Sequence, residues 1–394
     1  MKLSRCLNIE DLHTRARSSL PAPIYHYLAG GADDEWSLRR NNDAFRQYEL
    51  LPRYLRNIGE IDLSTRLVGL ELRLPFILSP TGMSRLFHRE KEPSVARAAA
   101  DFGTLYSLST MATTTIEDIA ALNDAPKMFQ IYIFKDRGLT VEFVERCKAA
   151  NYNALCLTVD TPLAGNRERD AVHGMSIPPR LGWRGLLSFF RHPSWTAGLL
   201  RDADFSLANV AHRIDAVGSG ALSIVEYVNQ QFDRSLTWDD AAWLADLWPG
   251  PLVIKGLQTP EDARRALDIG ASAVMISNHG GRQLDSTPAP VDCVVPMRDA
   301  IGDALDLIVD GGIRRGTDII KALALGANAC SIGRPYLFGL AAGGHAGVTR
   351  AISILEDELE RDMALLGCRS ISDLDNTYLQ GSRAALNAGS FPGQ

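Results

Sequence analysis

From about residue 75 onward one pattern recurs along the chain. A short, β-rich apolar run ends in a polar or glycine cluster, and a helical periodicity follows. The runs are Pro75–Ser79, Thr104–Ser109, Met128–Tyr132, Ala154–Val159, Leu252–Lys255, Ala273–Ser277, Asp306–Val309 and Ala329–Ile332. They are continuous and not alternating, as strands covered on both faces require. Helices are expected over Glu92–Phe102, Leu139–Ala150, Thr259–Leu267 and Thr317–Leu325, with Gly103, Gly270 and Gly326 as stops. Eight strand-then-helix units predict an α/β fold, a (β/α)8 TIM barrel, in preference to an open doubly wound sheet. Residues 75–365 would form the barrel and 1–70 an N-terminal helical extension, within one domain spanning 1–394.

One interval breaks the rhythm. About ninety residues separate the fourth and fifth runs, far more than a helix and its loops need. This predicts a long insertion after strand 4, a loop over 180–225, on the side of the barrel that carries function. Within it, Arg180–Arg213 holds five Arg against two Asp, a local excess of three positive charges interleaved with Trp, Phe and Leu.

Composition narrows the function classes. With 41 basic and 47 acidic side chains the net charge is −6, which argues against nucleic acid as a partner. None of the six cysteines forms a CxxC pair, so a reducing compartment is expected, with no metal site. The start lacks an apolar signal core, and no run of about 18 apolar residues occurs. A cytoplasmic protein is expected, with a peripheral contact on the inner face of the cytoplasmic membrane made through the basic, aromatic insertion.

The strand ends are polar for a packed barrel: PTG (80–82), Ser109, QIY (130–132), TVDTP (158–162), Lys255, SNHGGRQ (277–283), DGGIRRG (310–316) and IGRP (332–335). In a barrel these ends converge on one mouth. Gly311, Gly312 and Gly333 would bring backbone N–H groups to an anion, with Arg314 and Arg334 adding charge. His279 and Arg282 pair a base with a planar fork for a carboxylate, pointing to an α-hydroxy or α-keto acid. Asp160 could fix the histidine's tautomer, and Lys255 must meet a negative partner.

These motifs resemble the FMN-dependent L-2-hydroxy acid oxidising enzymes. The likeness runs from YHYLAGGADDEWSL (25–38) to MALLGCRSISDL (363–374), with SNHGGRQLD and DGGIRRGTDIIKALALGA as its most specific stretches. DLWPGPLVIKGL (246–257) and the long insertion are most similar to the membrane-associated lactate and mandelate dehydrogenases. The resemblance implies FMN as cofactor and His279 as catalytic base, oriented by Asp160. It implies that Arg282, Arg167 and Tyr27 grip the substrate carboxylate while Tyr132 bonds the hydroxyl oxygen. For FMN it implies Pro80, Thr81, Gly82, Ser109, Gln130, Thr158 and Ser277 around the ring and Lys255 at its N1 edge. Asp310 would meet the ribityl chain, and Gly311, Gly312, Ile313, Arg314, Gly333 and Arg334 the phosphate. Quinone or oxygen would accept the electrons, and a homotetramer is implied. Met111 stands where glycolate oxidase has a large aromatic, and Gly82 where many oxidases have Ala. Met111 would reshape the pocket for the substrate's side chain and Gly82 would change access to the flavin's N5 edge, both against glycolate specificity and rapid oxygen use. The competing functions are a non-redox phosphate-site barrel using Lys255 as a Schiff base and a non-catalytic flavin-binding scaffold.

Overall fold

The computed structural model describes residues 2–175, 182–201, 206–214 and 230–381. Parts of the expected insertion loop, namely 180–181, 202–205 and 215–225, lie outside the described residues. Eight parallel strands close into a barrel: β1 (Phe76–Thr81), β2 (Tyr106–Ser109), β3 (Lys127–Ile131), β4 (Ala154–Thr158), β5 (Leu252–Leu257), β6 (Ala273–Ser277), β7 (Asp306–Asp310) and β8 (Ala329–Ile332). Each pairs with its successor in sequence, and β8 closes on β1 through Cys330↔Phe76 to Ile332↔Leu78. The open-sheet alternative is thereby displaced.

The barrel has two apolar layers because side chains alternate along each strand. Ile77, Leu105, Met128, Cys156, Val253, Met275, Ile308 and Ala329 fill the inside as one cluster. Leu67, Val68 and Leu72, from a hairpin of Thr65–Leu67 and Leu70–Leu72, join that cluster and plug one end. Outward residues such as Leu155, Ile254, Val274 and Val309 belong to the second cluster, against the surrounding helices.

The N-terminal extension begins with α1 (Ile9–Ser19), α2 (Ala22–Ala29) and α3 (Trp36–Asp43). Asn8 caps α1 by accepting from the Asp11 N–H at 2.9 Å. Between the strands run α4 (Lys91–Asp101), α5 (Ile116–Ala120) and α6 (Arg137–Ala149). The interval after β4 contains α7 (Glu168–Val172), α8 (Trp183–Phe190), α9 (Pro193–Arg201) and α10 (Ala211–Ile214) before α11 (Trp238–Leu247). Then come α12 (Pro260–Asp268), α13 (Val294–Ile301), α14 (Gly316–Ala324) and α15 (Arg334–Leu366). α15 kinks at Gly343–Gly344 and packs along α1 and α4, so the extension is docked on the barrel.

Candidate active site

Two residues beyond the inner apolar layer, the alternation turns a second ring of side chains inward, and nearly all of them are polar. These are Ser79, Ser107, Ser109, Gln130, Thr158, Lys255, Ser277, Asp310 and Ser331, all buried. They lie side by side in register, as in Asp310↔Ser277, Asp310↔Ser331, Thr158↔Lys255 and Ser109↔Gln130. Asp310 Oδ1 accepts from Ser79 Oγ at 2.6 Å and Oδ2 from Ser277 Oγ at 2.7 Å. Lys255 Nζ donates to Ser277 Oγ at 3.0 Å and lies 3.2 Å from Asp310 Oδ2. Ser331 is hydrogen-bonded to Ser79. Burial opposes charge on both Lys255 and Asp310. Their mutual attraction prevails, holding the lysine above and the aspartate below its ordinary value.

His279 follows β6 in a left-handed run, with φ of 56°, 63° and 71° at His279, Gly280 and Gly281. A positive φ is uncommon for histidine and turns its ring into the mouth. His279 Nδ1 lies 2.9 Å from Asp160 Oδ1. That leaves Nε2 as the ring nitrogen free to meet a substrate. Burial alone would raise Asp160, but His279 and Lys255 outweigh it and hold the carboxyl below its ordinary range. Gly256 permits this placement: at φ 109° a Cβ there would sit 2.7 Å from Asp160 Cβ.

The extension supplies the opposite wall. Arg282 donates from one nitrogen to the carbonyls of Tyr27 and Gly30, at 2.8 and 2.9 Å. Arg334 donates to the carbonyls of Gly280 and Gly30, at 2.9 and 2.8 Å, and Arg314 to that of Ile313 at 2.7 Å. Among the described residues, none of these three guanidiniums has a carboxylate within 4 Å. Burial accordingly pushes Arg314 down to about 10 and Arg334 well below its ordinary value. Arg282 and Arg167 both lie over the Tyr27 ring, 5.0 and 5.6 Å from its centroid.

All of this opens on one cavity of about 600 Å³. Tyr27, Pro80, Thr81, Gly82, Ser109, Met111, Gln130, Tyr132, Thr158, Arg167, Lys255, His279 and Arg282 line it, with Asp310–Arg314, Gly333 and Arg334. Asp160 and Ser277 stand behind that lining. The Ser277 hydroxyl is engaged by Lys255, Asp310 and the His279 N–H, which leaves it a supporting place in the wall. Phe189 of α8, Trp195 of α9 and Phe232 close the apolar side. Trp195 Nε1 donates to Leu86 O at 2.9 Å, and Phe232 meets Tyr132 edge-on at 5.1 Å. Sequence reading missed these three together with Ser79, Ser107, Ser331 and Asp170. His173 lies beside this wall, its half-buried ring stacked on α2's His26 at 3.5 Å.

The family model of FMN-dependent dehydrogenases matches residues 16–381. The chain belongs to this family. It is 42% identical to a putative L-lactate dehydrogenase of Mycobacterium tuberculosis, over 96% of this chain and 90% of that protein. It is also 42% identical to an L-lactate oxidase of Nostoc sp., over 96% and 99%. The crystal structure of the monotopic membrane protein (S)-mandelate dehydrogenase superposes with a TM-score of 0.91 at 35% identity, covering 96% of this chain and 100% of that one. The chain is therefore an FMN-dependent oxidoreductase of the 2-hydroxy acid dehydrogenase and oxidase group. A Schiff-base role for Lys255 is displaced on physical grounds too, since Asp310 keeps the ammonium protonated and such a nucleophile needs a lowered pKa.

Proposed function

We propose that this enzyme oxidises an L-2-hydroxy acid with a lactate- or mandelate-like side chain to the 2-keto acid and passes the electrons to a quinone in the membrane. The observation that carries the reading is the His279–Asp160 pair, 2.9 Å apart, facing Arg167, Arg282 and Tyr27 across one cavity.

The cavity's chemistry fits FMN. Gln130 Nε2 and Thr158 Oγ1 are buried on its wall with no hydrogen-bond partner among the described residues, as groups awaiting a heteroaromatic edge would be. Arg314 and Arg334 are buried beside glycine loops, which suits a phosphate. FMN, when bound, supplies a ring that accepts two electrons. Ser109, Gln130, Thr158 and the backbone of Pro80–Gly82 would hold that ring, with Lys255 favouring negative charge on it. The Gly311–Arg314 and Gly333–Arg334 loops would hold the phosphate. Because Ser79, Ser277 and Lys255 already occupy Asp310, its main part would be to fix Lys255.

On the substrate, Arg282 and Arg167 would bind the carboxylate as planar forks, with Tyr27 packed between them. His279 Nε2 would take the hydroxyl proton, and Asp160 would stabilise the resulting imidazolium. Burial, reinforced by Asp160, raises the Tyr132 phenol, so it stays protonated and donates to the substrate oxygen. Met111, Met83 and Phe87 offer an apolar recess that glycolate would leave unfilled.

The outer face of α8 supports a lipid contact. Trp183, Leu186, Leu187 and Phe190 fall at i, i+3, i+4 and i+7 and are 70, 50, 40 and 80% exposed. Among the described residues no helix is long and apolar enough to cross a membrane, so the helix would lie in the interface. Phe189 faces the cavity from the same helix, so the segment would act as lid and membrane contact at once. A quinone could then arrive from the lipid. The homotetramer that the sequence resemblance implies is tested by light scattering of the purified protein.

The test is anaerobic bleaching of the yellow holoenzyme by L-lactate, (S)-mandelate and glycolate, followed by re-oxidation with a quinone in anionic liposomes. Bleaching fastest with lactate or mandelate, and liposome binding lost in Leu186→Glu/Phe190→Glu, is expected. Fastest bleaching by glycolate would overturn the substrate reading. A variant that still pelleted with liposomes would overturn the membrane reading.

A further inference from the structure

Asp170 is a carboxylate with an unusual address. It lies in the first turn of α7, is 6% exposed, and lines the cavity beside the two arginines assigned to the substrate carboxylate. Its Oδ2 is 3.7 Å from Arg167 NH1, and its Oδ1 is buried with no hydrogen-bond partner among the described residues. Burial raises its carboxyl above the ordinary value even though Arg282, Arg167 and Arg169 all favour the charge. A buried, half-satisfied carboxylate is expensive to keep, which calls for a reason.

The two arginines are held differently. Arg282 is fixed by its bonds to Tyr27 O and Gly30 O. Arg167 is held, among the described residues, by the loose ion pair with Asp170 and by the Tyr27 ring. Arg167 therefore faces a carboxylate of its own chain at the spot where the substrate would bring another.

We propose that Asp170 is a positioning residue that stands in for the substrate carboxylate, holding Arg167 over Tyr27 until a 2-hydroxy acid displaces it as the partner of that guanidinium. The inference rests on the functional reading above, because it takes Arg167 and Arg282 as the carboxylate clamp. In this arrangement Asp170 keeps Arg167 aligned and competes with every incoming anion. A residue of purely structural value would only help substrate to bind. Asp170 opposes binding while it preserves geometry.

The experiment compares Asp170→Asn with wild-type holoenzyme, using oxalate as the carboxylate probe and the perturbation of the flavin spectrum as the readout. Removing the competing charge is expected to tighten oxalate binding about three- to tenfold, on the scale of one partly buried ion pair. KM for the hydroxy acid should fall in proportion. In an Arg167→Gln background the gain from Asp170→Asn should vanish. Weaker oxalate binding in Asp170→Asn, or a gain that persists without Arg167, would overturn the inference. Asp170→Ser supplies the same comparison should the asparagine variant fail to retain FMN. A wild-type enzyme that is bleached by hydroxy acid while Asp170→Asn binds oxalate more weakly contradicts this inference alone. A wild-type enzyme bleached by no hydroxy acid contradicts the functional reading, and this inference with it.

Discussion

Replacing Asp160 by Asn keeps the shape of the side chain behind His279 and removes only its charge. The amide oxygen can still accept from Nδ1, so the ring need not turn, and Lys255 keeps Asp310 at 3.2 Å. What disappears is the attraction between a carboxylate and the imidazolium formed when His279 takes the hydroxyl proton. Two unit charges about 4 Å apart at an effective dielectric near 20 attract by about 4 kcal/mol. Each 1.36 kcal/mol is tenfold in rate, so the reduction step should slow by about 10³-fold. The assay is anaerobic stopped-flow reduction of the flavin at saturating hydroxy acid, with FMN content checked on the same sample. A loss under about tenfold, with FMN retained, would refute the idea that Asp160 stabilises charge on His279.

Three further outcomes follow from the packing. In Gly82→Ala the new Cβ would lie 2.7 Å from Met111 Cβ, and overpacking of that kind typically takes about 1–3 kcal/mol, so stability in urea unfolding should fall by about that much. Adding Met111→Gly should recover part of the loss in the same assay, and an unaffected single variant would contradict the contact. Glu92 is fully buried and accepts from the N–H groups of Ser84 and Thr113 and the hydroxyls of Thr113 and Thr114. Glu92→Gln should lower stability by about 1–3 kcal/mol in urea unfolding, and a change under about 0.5 kcal/mol would show the charge to be dispensable. Burial, then the stacked His173 and nearby Arg169, push His26 down to about 4. Its stability contribution is complete above about pH 6.5 and declines as pH falls toward 4, because the unfolded chain takes the proton first. His13, His88 and His173 shift the same way. Tm should therefore drop less steeply between pH 7 and 5 in His26→Phe than in wild type, and equal slopes would exclude His26 as a contributor.

The barrel was legible because its strands are buried on both faces. Ala273–Ser277 and Ala329–Ile332 coincide with β6 and β8 at both ends, and the other runs differ from their strands by one or two residues at an end. The continuous apolar runs that revealed the strands also concealed which residues point inward. Ser79, Ser107 and Ser331 sit inside such runs, and only the closed barrel shows them in the polar ring. Site residues at run ends were visible because Asp160, Lys255, His279, Arg282 and Arg314 break apolar or glycine contexts with charge. Asp170 was hidden among the ordinary charges of NRERD (166–170). The insertion read from its sequence as a membrane contact, and Phe189 on the cavity adds the part of a lid. The two faces of α8, with Phe189 on the cavity and Trp183, Leu186, Leu187 and Phe190 outward, make those descriptions compatible.

In the function proposed above, His279 is the base of an FMN site acting on a 2-hydroxy acid. The most direct test is a single anaerobic turnover of His279→Gln holoenzyme beside wild type, with the same hydroxy acid and verified FMN content. General-base catalysis is worth about 10²–10⁴-fold. FMN should therefore stay bound while the reduction rate falls by at least about 10²-fold. A variant that retained more than about a tenth of the wild-type rate would contradict the account.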